Sequence, residues 1–258
     1  MMGMLLWKSP EAGKREKRMA LTERSVLHMR FACVEVVRGP KTPSAVLRRR
    51  VASAAKKLHR AGVTRAVLPP DFPFSAELEK YGVRPVSTLP LRRALAAETV
   101  GWRLERLGLT AGARVAVVGE QLTGELVRTV TELALRHRYL ILKVPFGGEE
   151  LCRRLRREYG VSIMLNPETE REPVSVHMAF DPTEAQGGGF LPLYDESLPL
   201  PRLLLPPEVE ARLPEGLDRG QLLSVLWRTG ALRPGQVSVQ LGETENKGAV
   251  PEIRAFCP

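Results

Sequence analysis

The sequence predicts an α/β protein of the Rossmann-like kind, with a mostly parallel sheet. Short apolar segments of the kind found in buried parallel strands alternate with amphipathic helical segments, and glycine or proline separates them. The order β-α-β-α-β can be read twice along the chain. With 258 residues, 43% hydrophobic and 26% charged, the chain has a globular composition and is long enough to bury a substantial core.

The first β-α-β-α-β unit is predicted between Ala32 and Pro90. It begins in a strand over Arg30 to Val37. Thr42 is then predicted to cap a helix that has Pro43 at its first position. The apolar stripe of this helix consists of Leu47, Val51, Ala54 and Leu58. The unit continues with a strand over 64–68, a helix over 75–80 and a strand over 85–89.

The second unit is predicted between Ala113 and Pro167, after a longer helix over 91–107. Its predicted elements are strands over 114–118, 139–144 and 161–165 and helices over 125–136 and 149–159. Both units carry Tyr-Gly-Val, at 81–83 and 159–161, before their last strand. We therefore expect an internal duplication in which the two halves share one fold and form one continuous sheet, as in doubly wound proteins.

The sequence further predicts five regions, the fourth of which is a small C-terminal extension. These are a basic, disordered arm (1–25), the two halves (26–110 and 111–195), a proline-rich connection with a docking helix and a short strand (196–241), and a loose tail (242–258). The docking helix is predicted over Arg219 to Arg228 and two more strands over 174–180 and 190–194. Because residues before about Ser25 show no apolar periodicity, deletion of 1–24 is expected to cost no more than about 1 kcal/mol.

The net charge of +10 is concentrated at one end of the chain. The first 60 residues contain fifteen Lys and Arg against four Glu. A nucleic-acid-associated protein is therefore one hypothesis, using the arm and the first helix. The basic residues of that helix are Arg48, Arg49, Arg50, Lys56, Lys57 and Arg60. A second basic cluster, Arg153, Arg154, Arg156 and Arg157, has no interleaved aromatic residues and is expected to be a solvated helix face rather than a nucleic-acid site.

Cysteine usage and hydropathy favour a cytoplasmic protein. No apolar run reaches the roughly 18 residues that cross a bilayer, so no membrane partner is expected. The apolar start has its basic residues behind it, which is the reverse of a secretory signal. Three widely spaced cysteines do not suggest a disulfide framework or a metal site, and Cys33 and Cys152 are expected to be buried apolar residues.

The loop Gly119-Glu120-Gln121-Leu122-Thr123-Gly124 stands where a dinucleotide fingerprint would lie, between a predicted strand and a helix. Gln121 replaces the glycine that lets the backbone approach a pyrophosphate, and Lys143 replaces the acid that holds the ribose of NAD. In this pattern alone the loop is similar to those of shikimate-dehydrogenase-like and other NADP enzymes. A purely structural turn is the alternative interpretation of this loop. Each departure is expected to cost NAD binding about 1–3 kcal/mol. Because Lys143 can face a 2′-phosphate, any dinucleotide affinity is expected to favour NADP over NAD.

The predicted ligand site lies at the carboxyl ends of the strands. The cofactor-binding candidates are Gly119, Gln121, Thr123, Gly124 and Lys143, and the other pocket candidates are Thr42, Asp71, Asn166 and Asp181. No nucleophile elbow, metal motif or catalytic histidine pair is found. The favoured hypothesis is a protein that binds a small anionic or nucleotide-type ligand and has no identifiable catalytic machinery. An NADP-type oxidoreductase is the alternative, and the oligomeric state stays open.

Overall fold

Two five-stranded sheets, each mostly or wholly parallel, organise the chain into an α/β protein. The computed structural model describes residues 1–10, 19–109, 112–168, 173–183, 189–198, 200–233 and 235–240. The statements below concern these residues.

The first unit is an α/β layer whose sheet has the strand order β2-β3-β1-β4-β5. In chain order its elements are β1 (Met2–Lys8), β2 (Leu21–Val26), β3 (Met29–Val37), α1 (Ser44–Arg60), β4 (Arg65–Val67), α2 (Ser75–Glu79) and β5 (Arg84–Pro85). Strand β2 runs antiparallel to β3, and the other pairs are parallel. One face of the sheet packs on α1 through the predicted stripe Leu47, Val51, Ala54 and Leu58, all of which are buried.

The second unit has the strand order of a Rossmann-type sheet. Two helices, α3 (Leu89–Ala94) and α4 (Ala96–Arg106), lead to it. Its elements are β6 (Arg114–Val118), α5 (Gly124–Arg136), β7 (Tyr139–Lys143), α6 (Gly148–Tyr159), β8 (Met164–Leu165), β9 (Val176–Ala179) and β10 (Phe190–Pro192). Its sheet reads β8-β7-β6-β9-β10 and is parallel throughout. Numbered within the unit this is 3-2-1-4-5, the order of dinucleotide-binding folds.

The C-terminal segment returns to the first unit and covers the second face of its sheet. Its elements are β11 (Leu203–Leu204), α7 (Pro207–Glu210), α8 (Arg219–Arg228) and β12 (Ser238–Val239). Helix α8 contributes Leu222 and Leu226 to the apolar cluster that contains Met4 and Phe31 of the sheet. The prediction of a docking helix over Arg219 to Arg228 is therefore confirmed.

The prediction of one continuous sheet is wrong. Each half has the predicted β-α-β-α-β order, but both edges of β6 are used within its own unit, by β7 and β9. Strand β3 is likewise paired on both edges, by β1 and β2. With these edges occupied, the halves cannot join through their leading strands. The halves also differ in strand order, because β1 lies between β3 and β4 whereas β6 lies directly beside β7.

The predicted disordered arm over 1–25 is also corrected. Residues Met2–Lys8 form the central strand β1, and the arm's last residues begin β2. Met4 and Leu5 are fully buried, as expected of a strand that is parallel-paired on both sides. The apolar run of Met1 to Trp7 carried this information, but its basic flank suggested an arm instead. The predicted tail, 242–258, lies outside the described residues.

Two local predictions change as well. The helix predicted over 91–107 is two helices, separated at Leu95. Thr42 does not cap α1, whose N-cap is Pro43. Its hydroxyl instead accepts a hydrogen bond from the Gly39 amide at 2.9 Å, which closes the loop after β3.

The cysteines that the structure describes are buried or partly buried thiols. Cys33 lies in the apolar cluster beneath α8, and Cys152 packs against the core of the second unit. Burial raises the pKa of both thiols above the ordinary value. Both therefore stay protonated at neutral pH and behave as small apolar groups, as predicted.

Truncation of the first strand is expected to destabilise the protein strongly. Leu5 is fully buried in β1, so Leu5→Ala leaves a cavity and lowers the free energy of unfolding by about 2–5 kcal/mol. Leu21→Ala in the edge strand β2 is the matched control, because Leu21 is 43% exposed, and should cost less than about 1 kcal/mol. Urea denaturation measures both. Equal, small losses would mean that β1 does not form the centre of the sheet.

Candidate functional site

A cleft of about 370 Å³ lies at the carboxyl edge of the second sheet. Its polar and charged lining residues are Gly119, Glu120, Lys143, Asn166, Asp181 and Thr183. Strands β7, β6 and β9 are neighbours and parallel, so their carboxyl ends meet at one edge. The fold thus gathers four sequence-predicted residues, Gly119, Lys143, Asn166 and Asp181, at one place.

Charges of opposite sign lie on the two sides of this cleft. Lys143 ends β7 and pairs in register with Val118, while Asp181 follows β9 on the other side of β6. Neighbouring strands are about 4.8 Å apart, so the backbones at the ends of β7 and β9 are separated by about 10 Å. Glu120 lies between them and is exposed. The cleft therefore places one cationic side chain opposite two carboxylates.

Gly119 is required by packing between strand and helix. A Cβ atom on Gly119 would lie 2.4 Å from Cδ1 of Leu126, which is fully buried on α5. The Gly119 amide donates to the Lys143 carbonyl at 3.1 Å, extending the β6–β7 ladder by one residue. The glycine is thus explained by the close approach of α5 to β6.

Three amides in and just after the turn that leads into α5 are bonded within the protein. The Thr123 hydroxyl accepts from the Leu126 amide at 3.2 Å and caps the helix. The Thr123 amide donates to the Gln121 carbonyl at 2.9 Å. The Glu120 amide donates to Oδ2 of Asp181 at 2.8 Å. A turn that would receive a phosphate in a dinucleotide-binding protein thus already holds a carboxylate here.

Arg93, in the connecting helix α3, contacts this edge of the second sheet, and sequence reasoning missed it. Its Nη1 lies 3.1 Å from Oε2 of Glu125 in the first turn of α5, and its Nη2 donates to the Phe180 carbonyl at 3.1 Å. The guanidinium carbon also lies 5.7 Å from the centre of the Phe180 ring. Arg93 therefore holds the start of α5 against the end of β9. No local pattern could indicate this, because the contact requires α3 to meet the second unit.

Asn166 serves the backbone rather than the cleft. Its Oδ1 accepts from the Val144 amide at 3.0 Å, and its Nδ2 donates to the Val144 carbonyl at 2.7 Å. Its own amide donates to the Leu142 carbonyl at 2.9 Å. The residue has φ +41°, a left-handed conformation that asparagine tolerates well. Asn166 thus fastens the end of β8 to the segment that follows β7.

The other predicted site residues do not line the cleft. Thr42 and Asp71 follow β3 and β4, at the carboxyl edge of the first sheet. Asp71 is an exposed turn residue with φ +50°. Gln121, Thr123 and Gly124 lie in the adjacent turn and first helical position, and Gln121 is exposed. The predicted single pocket is therefore divided between two sheets.

Part of the basic helix α1 is occupied by local contacts. Arg48 lies 3.5 Å from a carboxylate oxygen of Glu77, Arg50 donates to the Val37 carbonyl at 2.6 Å, and Lys57 donates to the Met19 carbonyl.

Within the described ranges, no cluster of three or more metal-ligating side chains occurs. No helix among the described residues is long and apolar enough to span a bilayer.

Substitution of Gly119 should destabilise the second unit, whereas substitution of Gly124 should not. Gly119→Ala forces Leu126 out of a filled core and is expected to cost about 1–3 kcal/mol. Gly124→Ala is the matched control, since a Cβ there meets nothing within 4 Å and alanine favours helix α5. Thermal unfolding compares them. A Gly119→Ala variant as stable as wild type would show that Leu126 has room to move.

Asn166→Asp should also lower stability. The aspartate has no N–H to donate to the Val144 carbonyl and places an acceptor against it, so about 1–3 kcal/mol is lost. Asp71→Asn, at another position with positive φ but exposed, is the control and should change stability by less than about 0.5 kcal/mol. Equal urea midpoints for the two variants would contradict the assigned role of Asn166.

Comparisons with known proteins give only distant structural likenesses. No protein-family model matches the chain, and no curated protein matches it in sequence. Among solved structures, an L-tryptophan dehydrogenase from Nostoc punctiforme is similar at 15% identity and a TM-score of 0.27, over 59% of this chain and 44% of that one. A shikimate 5-dehydrogenase-like protein is similar at 11% identity and a TM-score of 0.24, over 69% of this chain and 65% of that one. This chain thus spans less than two thirds of each, and the α/β assignment stands on its own strand order.

Proposed function

We propose that the cleft at the ends of β6, β7 and β9 binds a small anionic ligand of the nucleotide type. The observation that carries this proposal is a cleft of about 370 Å³ with Lys143 in its lining, at the carboxyl edge of a 3-2-1-4-5 sheet. Ligands of open α/β sheets bind at this edge. The fold supplies the location, and Lys143 supplies the preference for an anion.

Lys143 is the residue of the cleft that binds the anionic group of the ligand. It is partly buried at the end of β7, where a dinucleotide-binding protein has an acid for the ribose hydroxyls. A lysine at this position carries a positive charge that attracts a phosphate. The proposal therefore keeps the expected preference for NADP over NAD, because only NADP carries a phosphate on that ribose.

The size of the cleft favours a ligand smaller than a complete dinucleotide. A volume of about 370 Å³ lies near the lower end of the roughly 300–1,000 Å³ found for ligand pockets. One nucleoside with one phosphate suits this space. The proposal assigns binding alone and no reaction, and cytoplasmic location is proposed with it on the strength of the cysteine pattern.

Calorimetric titration with 2′-AMP, AMP, NADP and NAD tests the proposal. We expect wild-type protein to bind at least one phosphate-bearing ligand, and Lys143→Gln to weaken that binding at least tenfold, because the paired cation is lost. Lys41→Gln is the matched control: Lys41 is an exposed lysine of the first unit, and its removal should change affinity less than twofold. Binding that is undetectable at millimolar concentration, or unaffected by Lys143→Gln, would refute the proposed site.

A further inference from the structure

We propose that Asp181 determines specificity in this cleft by occupying the place of a pyrophosphate, which limits the ligand to a nucleoside monophosphate anchored at Lys143. This inference rests on the ligand site proposed above and adds the residue that excludes dinucleotides from it. It concerns the side of the cleft opposite Lys143, where the turn from Gly119 to Gly124 precedes α5.

Asp181 is hydrogen-bonded to the turn that precedes α5. Oδ2 of Asp181 accepts the Glu120 amide at 2.8 Å, across from the end of β9 to the end of β6. Asp181 also lies close to Gly119, since a Cβ there would be 3.6 Å from the same oxygen. An amide that would donate to a ligand phosphate thus donates to a fixed carboxylate.

Two further groups of the protein complement the positive end of α5. The Thr123 hydroxyl caps the helix by accepting from Leu126, and Glu125 adds a carboxylate in the first turn. Arg93 pairs with Glu125 and with the Phe180 carbonyl, so this arrangement is held from outside the unit. The helix dipole, which elsewhere attracts a phosphate, is complemented here by the protein's own groups.

A pyrophosphate bound at this turn would meet negative charge. Asp181 and Glu120 both line the cleft, and the lining residues carry one more negative than positive charge. A pyrophosphate at the turn would lie against two carboxylates. An anion at Lys143 would be about 10 Å from the end of β9, roughly one Debye length at 0.1 M salt, where the repulsion is much weaker.

The ligand that fits this cleft has one anionic end and one uncharged end. Its single phosphate contacts Lys143, and its uncharged end presents hydrogen-bond donors to Asp181. A carboxylate has about four acceptor positions, of which the Glu120 amide uses one. The hydroxyl groups of a ribose are suitable donors. A nucleoside monophosphate satisfies both ends, whereas a dinucleotide must place its pyrophosphate beside Asp181.

The experiment measures the affinities of 2′-AMP, AMP, NAD and NADP for wild type and Asp181→Asn by calorimetry. Asparagine keeps an acceptor for the Glu120 amide but removes the charge. We expect wild type to bind a monophosphate more tightly than NADP, and Asp181→Asn to raise the affinity for NADP and NAD at least tenfold relative to the monophosphates. Glu149→Gln removes an exposed charge of α6 outside the cleft lining and should change no affinity more than twofold.

A second variant guards against misfolding. Glu120→Gln alters an exposed side chain and should raise the affinity for NADP in the same direction, by a smaller factor. If monophosphates bind through Lys143 but neither variant changes the ratio of NADP to monophosphate affinity, the role of Asp181 is refuted while the site stands. If neither wild type nor variants bind any of the four ligands, the site itself is refuted as well. Dinucleotide binding that appears only in Asp181→Asn supports the exclusion.

Discussion

The double pairing of β6 is the constraint on which the rest of the second unit depends. Parallel partners on both edges, β7 and β9, bring the ends of three strands to one place and leave β6 fully within the sheet. The cleft, its lysine and its two carboxylates follow from this arrangement. The same pairing separates the two halves, because no edge of β6 remains for a strand of the first unit.

Elements with strong local patterns could be predicted from the sequence. The apolar stripe of α1, the helix over Arg219–Arg228 and strand β6 were identified from periodicity and turn residues alone. Gly119, Lys143, Asn166 and Asp181 lie around one cleft because their strands are parallel and end at one edge, whereas Thr42 and Asp71, expected at the same place, lie at the other sheet. The predictable elements are therefore short segments whose local sequence pattern is not overridden by tertiary packing.

The failures share a physical cause, which is that pairing partners are chosen by the whole chain. Strand β1 reads as an apolar end segment until its partners β3 and β4 are known. The roles of Asn166 and Arg93 depend on which backbone groups happen to lie opposite them. Similar residues between the elements of the two halves suggested one shared topology. However, α/β units of different strand order use the same turns.

The return of the C-terminal segment to the first sheet has a consequence for the order of events during synthesis. The apolar face that contains Met4 and Phe31 is completed by Leu222 and Leu226, which follow Phe31 in the chain by 191 and 195 residues. The second unit lies wholly between them in the chain and can consolidate earlier, as domains generally do during translation. Strand β1 is therefore synthesised before the other elements described here but is among the last to be fully covered, and until then its apolar face is exposed to chaperones.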